Sequence, residues 1–166
     1  MNNKYEGFLN LTDASNPNAP ITFKLTSQPA WGQGNEYGSG GGPGTLALKG
    51  GDISISPQGY YLMNVDLNTL TYTATQITEI TVYGPSAEEE TEFIYNPATQ
   101  SWETIISLIQ GNIAFRINRN SNFNYGDNNN HGFLEKNSVV NIEENGVYKV
   151  NLFLEEVPCR YELLKQ

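Results

Sequence analysis

The sequence predicts an all-β protein, organised as two tandem β-sandwich domains over residues 1–76 and 77–166. Three observations carry that expectation. Only 16% of the 166 residues are charged, while Asn, Thr, Ser, Gly and Tyr abound, a mix that favours strands joined by turns over helices. Short segments of alternating apolar and polar residues recur between Gly, Pro and Asn turn signals. A pattern also repeats. Phe23 to Gly38 starts as a strand, breaks at Pro29 into a Gly- and Asn-rich loop and ends on Tyr37-Gly38, and Phe115 to Gly126 follows the same course to Tyr125-Gly126. A chain of this length holds one large all-β domain or two small ones, and the repeat decides for two.

Taken in order, Tyr5 to Leu11 alternates as a strand, residues 12–20 form a loop, and Ile21 to Thr26 is the second strand. Gly38 to Gly44 is a glycine-rich loop without the Gly-Lys-Ser/Thr ending of a phosphate cradle, and no helix pattern follows it. Asp52 to Ser56 is a short strand. Tyr60 to Leu67 is expected to turn Tyr61, Met63, Val65 and Leu67 inward and Leu62, Asn64 and Asp66 outward, and Leu70 to Thr75 closes the first copy. The second copy opens with Ile80 to Tyr83, passes an acidic run at Glu88 to Glu92 that reads as solvated, and continues through Tyr95. Trp102 to Ile109 fits a helix face or a strand face. Its repeat partner Tyr5 to Leu11 and its β-branched residues favour strand. Phe115 to Arg119, Val139 to Ile142, Tyr148 to Leu154 and Arg160 to Leu164 complete the copy, with Trp102, Tyr61 and Tyr148 read as core. The strand pair at Ile80 to Tyr95 has no counterpart ahead of Tyr5. The first copy is therefore truncated at its N-terminus or manages with fewer strands, at the cost of an unpaired edge.

Charge and composition narrow the function. A net charge of −9 and an isoelectric point near 4.5 disfavour nucleic acid and anionic lipid, which require a basic surface. The one cysteine, Cys159, allows no intrachain disulfide and reads as a small, partly buried thiol. No apolar run is long enough for a signal sequence or a membrane span, so an exported protein would carry its targeting segment upstream of Met1. Glycoside hydrolysis needs two carboxyl groups held across the bond, whereas the acids here are scattered or bunched at Glu88 to Glu92. Residues 127–132 begin like a calcium loop, but Ser138 stands where the closing bidentate Glu belongs, and no metal or cofactor is expected.

Flat rings beside a long cation and amide side chains suit a sugar, with the apolar face of a pyranose on the ring and its hydroxyls on the polar groups. Trp31 is the expected platform, in a polar loop whose apolar neighbour is Ala30. Tyr37, Lys24 and loop amides such as Asn35 surround it.

Several short motifs in fixed order resemble the SusE/SusF-type surface glycan-binding (starch-binding) proteins. They are residues 23–29 with Trp31 and Tyr37-Gly38, residues 51–53, 57–61 and 65–72, then residues 95–102 and Phe115-Arg116 through Tyr125-Gly126. The resemblance spans nearly the whole chain. It implies tandem immunoglobulin-like sandwiches without catalytic activity, on the extracellular face of the outer membrane of Gram-negative cells. It also implies attachment only through a lipid anchor absent from this chain, and partnership with an oligo- or polysaccharide and with other components of a glycan-uptake complex. By position it assigns sugar contacts to Trp31, Tyr37 and Lys24 in the first copy and to Phe123, Tyr125 and Arg116 in the second, with Lys24 matched to Arg116. The second copy departs from the family pattern. Tyr83-Gly84-Pro85-Ser86-Ala87 is followed by acids and contains no tryptophan, which makes the first copy the better-equipped site. The expected function is non-catalytic binding of a neutral polysaccharide such as starch or another glucan. The alternative is a structural spacer or adhesin.

Overall fold

The computed structural model describes residues 3–30 and 32–166, and Trp31 lies outside the described residues. Among them every regular element is a β-strand, and the chain is all-β. It divides into two compact units, Met1–Gln76 and Ile77–Gln166.

In the first unit, β1 (Lys4–Leu11) pairs antiparallel with β7 (Gly59–Asp66), and β8 (Thr71–Ile77) joins the other side of β7. Facing this sheet, β2 (Ile21–Phe23) pairs with β6 (Ile53–Ile55), while β3 (Leu25–Thr26), β4 (Glu36–Ser39) and β5 (Leu46–Leu48) form a ladder beside them. Leu46, Ile53, Ile55 and Tyr61 are buried together, with Leu11, Phe23, Leu25, Val65, Leu67, Tyr72 and Ala74 packed on them, so both layers share one core. The outward assignment of Leu62 is corrected, because that side chain is fully buried at 0% exposure. Residues 60–63 are apolar without interruption, the signature of a strand covered on both faces rather than one.

The second unit has the same plan with more strands. One sheet holds β9 (Ile80–Tyr83), β10 (Thr91–Glu92), β13 (Gly111–Ile117), β14 (Asn124–Gly126) and β15 (Glu135–Lys136), with β16 (Val140–Ile142) on the first half of β13. The other holds β11 (Ile94–Asn96), β12 (Ser101–Leu108), β17 (Gly146–Phe153) and β18 (Arg160–Lys165). Residues 101–108 are thus strand, as their β-branched content requires. Phe115 of the first sheet meets Tyr161 of the second at 5.8 Å between ring centroids and Phe93 edge-on at 5.9 Å, so aromatic rings join the layers.

The ladders establish which residues correspond. Leu25 opposes Tyr37 as Phe115 opposes Tyr125, Phe23 opposes Ile53 as Ile113 opposes Val140, and Leu11 opposes Gly59 as Leu108 opposes Gly146. Lys24 therefore corresponds to Ala114, and Arg116 to Thr26. The match of Lys24 to Arg116 is two residues out of register. A slip of two keeps every side chain on its own face, so alternation could not expose it.

The recurring Tyr-Gly pair now has a structural cause. A Cβ on Gly38 would collide with the carbonyls of Gly50 and Gly51, and one on Gly126 with the backbone of Ser138 and Val139. In both units the chain crosses itself backbone to backbone at this point, and only glycine permits the approach. A second shared device sits at the start of the central strand. The Tyr61 hydroxyl donates to the Pro57 carbonyl at 2.6 Å and the Tyr148 hydroxyl to the Glu144 carbonyl at 2.8 Å, the corner geometry of Greek-key sandwiches.

Gly126→Ala and Gly38→Ala should each destabilise their unit by about 1–3 kcal/mol through overpacking. Gly7→Ala should be neutral or slightly stabilising, because a Cβ there meets nothing within 4 Å. Thermal unfolding of the three variants checks this, and equal melting temperatures would refute the crossing.

Candidate functional site

In the second unit, Phe115 turns into the core and strand alternation turns its neighbour Arg116 out. Thr81 on β9 and Asn124 on β14 oppose Arg116 directly, so the three form one cross-strand row. The Arg116 guanidinium lies 4.2 Å from the centroid of the Tyr83 ring, a cation–π distance. It forks onto Glu90, Nε to Oε1 at 2.8 Å and Nη2 to Oε2 at 2.5 Å. Thr81 donates to the same carboxylate, and Arg119 reaches it at 3.1 Å while also pairing with Glu79. The Tyr83 hydroxyl donates to Asn124 Oδ1 at 2.9 Å. Phe123, the residue before Asn124, is half-buried, its ring 5.9 Å from the Lys136 ammonium.

Hydrogen bonding from Arg116 holds the Glu90 carboxyl at about 2 against the opposing effect of burial, and the same bond raises Arg116. The guanidinium and carboxylate therefore remain a fixed ion pair through the neutral range. The result is a small, ordered polar cluster with an aromatic ring beside a cation and one amide alongside. It can accept and donate hydrogen bonds to a polar, uncharged ligand with little rearrangement.

The other residues singled out in the sequence are distributed differently. Tyr125 is 6% exposed and sits on the core side opposite Phe115. Its expected role as a stacking platform is corrected, because the alternation that turns Arg116 outward turns its neighbours inward. Tyr37 holds the same register position in the first unit but is half-buried. With Lys24 it lines a groove of about 400 Å³, completed by Tyr5, Leu25, Thr26, Ser27, Val65 and Leu67. Lys24 Nζ lies 3.8 Å from Asp52 Oδ1. Asn35 is exposed, its N–H accepted by Ser27 Oγ in the closed β3–β4 loop. Trp31 falls in that loop and outside the described residues, so its side chain enters no geometry here. The structure thus gathers Lys24 and Tyr37 in one groove, sets Arg116 in the cluster with Tyr83, Glu90 and Thr81, and places Tyr125 in neither.

Sequence reasoning missed Tyr83, Asn124 and Glu90. Tyr83 and Thr81 alternate on one strand face, a signal that was legible. Glu90 was not, because an acidic run looks solvated until the β9–β10 turn folds one member back onto an arginine 26 residues later.

Asp127, His131 and Glu135 place one potential ligand atom each within 4.8 Å of one another. Asp127 already accepts the N–H groups of Asn129 and Gly132 and the Tyr161 hydroxyl. Burial pushes its carboxyl up, and these donors more than offset that. The carboxylate anchors its own loop. Cys159 is a half-buried thiol that donates to the Leu154 carbonyl at 3.3 Å.

Because Glu90 is held at about 2, below the usual carboxylate value of 4.5, its contribution to stability is complete above that usual value. It is lost as pH falls from there through about 2. Acid titration of unfolding should therefore show second-unit stability declining over that window. Glu90→Gln should lower stability at neutral pH and flatten the decline, and an unchanged acid limb in this variant would rule out the pair as its source.

Comparison with known protein families and with curated proteins finds no match to this chain.

Proposed function

We propose that the chain is a non-catalytic binding protein for a neutral polysaccharide, built from tandem immunoglobulin-like modules of the SusE/SusF type. One observation carries the reading: the Arg116 guanidinium lies 4.2 Å from the Tyr83 ring centroid and is locked by Glu90, while the Tyr83 hydroxyl is bonded to Asn124. Sugars are recognised by such pairings of aromatic carbon with fixed hydrogen-bonding groups. The geometry argued from is that of the second unit, and Trp31, on which the ranking of the first copy rests, lies outside the described residues.

The extracellular setting and association with a glycan-uptake complex follow from the family resemblance and belong to the same proposal.

Affinity electrophoresis through starch and other neutral glucans tests it, with wild type retarded by at least one. Arg116→Lys keeps the charge on Glu90 but loses the planar fork, and Phe123→Ala removes the ring that the family resemblance assigns to the sugar. Each should weaken retardation about tenfold, the equivalent of 1.4 kcal/mol. Failure of every glucan to retard the wild type, or retardation unaltered in both variants, would overturn the proposal.

A further inference from the structure

The hairpin that joins β14 to β15 carries a second polar cluster, apart from the arginine row. The ladder sets its ends. Gly126 opposes Glu135, so Asp127 leaves β14 beside the point where Glu135 enters β15. Between them residues 128–134 turn and bring His131 back to the base of the loop. The imidazole stands between two carboxylates, with Nδ1 3.2 Å from Asp127 Oδ2 and Nε2 3.4 Å from Glu135 Oε1. One potential ligand atom from each of the three residues lies within 4.8 Å of the other two. The spacing of a calcium loop looks to Ser138 for its closing ligand, whereas strand pairing supplies Glu135 instead.

Two of the three groups are held in place before any ion arrives. The Asp127 side chain is 0% exposed, and the Asn129 and Gly132 N–H groups and the Tyr161 hydroxyl take three of the about four acceptor sites of its carboxylate. Tyr161 reaches it from β18 of the opposite sheet, the kind of supporting bond that orients a metal-binding carboxylate. For His131 the Phe133 N–H donates to Nδ1 at 3.3 Å, which puts the proton of the neutral ring on Nε2, toward Glu135. Nδ1 and Asp127 Oδ2 are then two lone-pair atoms 3.2 Å apart, a separation that favours a cation between them. Metal bonds of about 2.1 Å from both atoms to one ion enclose an angle of about 100°, between the octahedral and tetrahedral values. The His131 and Glu135 side chains are 41% and 40% exposed, so the cluster opens to solvent on that side.

We propose that Asp127, His131 and Glu135 form a zinc site. Asp127 Oδ2 and His131 Nδ1 are its first two ligands, the Glu135 carboxylate is the third, and solvent completes the shell. The donor set selects the ion, because one imidazole with two carboxylates suits zinc, whereas calcium takes roughly six to eight oxygens. Two carboxylates also balance the charge of a divalent ion. The long bond from Phe133 yields to the metal, which fastens the hairpin to its own base and, through Tyr161, to the opposite sheet. The site shares no residue with the Arg116 cluster and does not rest on glycan binding.

His131 is the one histidine of the chain, so nuclear magnetic resonance reads its two ring nitrogens without ambiguity. Zinc chloride titrated into the full chain, free of any metal-binding tag, should shift Nδ1 and saturate at one ion per chain, and calcium chloride should leave it unmoved. By calorimetry His131→Gln and Glu135→Gln should each weaken zinc binding about a hundredfold, the upper end of what loss of a supporting residue costs. Glu88→Gln, in the exposed acidic run, should leave it unchanged. Absence of zinc binding, a shift confined to Nε2 or an equal response to calcium overturns the proposal on the wild type alone, whether or not a variant folds. Undiminished binding in either ligand variant, or an equal loss in Glu88→Gln, overturns it too. None of these readouts passes through Arg116 or Phe123, so zinc binding and glycan binding fail separately.

Discussion

The second unit depends on one buried ring. Phe115 is 2% exposed, holds Tyr161 of the opposite sheet and receives Phe93 edge-on. Fixing that side chain inward fixes its neighbour outward, because successive residues of a strand cannot share a face. Arg116 therefore projects from the outer surface in register with Thr81 and Asn124. The polar surface is thus a consequence of core packing. Its precision derives from a ladder, which holds side chains more tightly than a loop does.

Electrostatics then rigidifies what packing has placed. Arg116, Arg119, Glu79 and Glu90 form a small network in a chain of net charge −9. Isolated surface pairs contribute little, but a two-pronged, partly buried pair within a network contributes more. Arg116 and Glu90 have side chains only 22% and 19% exposed, and the pair is bidentate. Under the proposed function a ligand would meet groups already oriented, so little ordering entropy would remain to be lost on binding.

Among the described residues, the first unit repeats the plan without the covering strands. Gly38 and Gly126 make the same backbone crossing, and Tyr61 and Tyr148 make the same corner bond. The difference lies at one side of the sandwich, where the second unit has β9 to β11 and the first has an open groove. Tyr37 and Tyr125 illustrate the effect. They occupy one register position, yet only the ring in the complete sandwich is fully buried. Exposure of an aromatic residue in a repeat can therefore report what covers it, rather than what it is shaped to bind.

Local sequence was sufficient for the all-β class, for most strand positions and for strand at residues 101–108, because side-chain alternation, β-branching and turn residues act over a few neighbours. Tertiary structure decided the rest. Lys24 matches Ala114 because only the ladder counts residues across strands, and a two-residue slip is invisible to alternation. Leu62 is buried because both faces of its strand are covered, which no single-face pattern encodes. Tyr125 faces Phe115 in the core, and Glu90 leaves its acidic run for Arg116, because each is placed by a partner distant in sequence. Short-range chemistry specifies which elements form, and long-range pairing specifies which side chains meet.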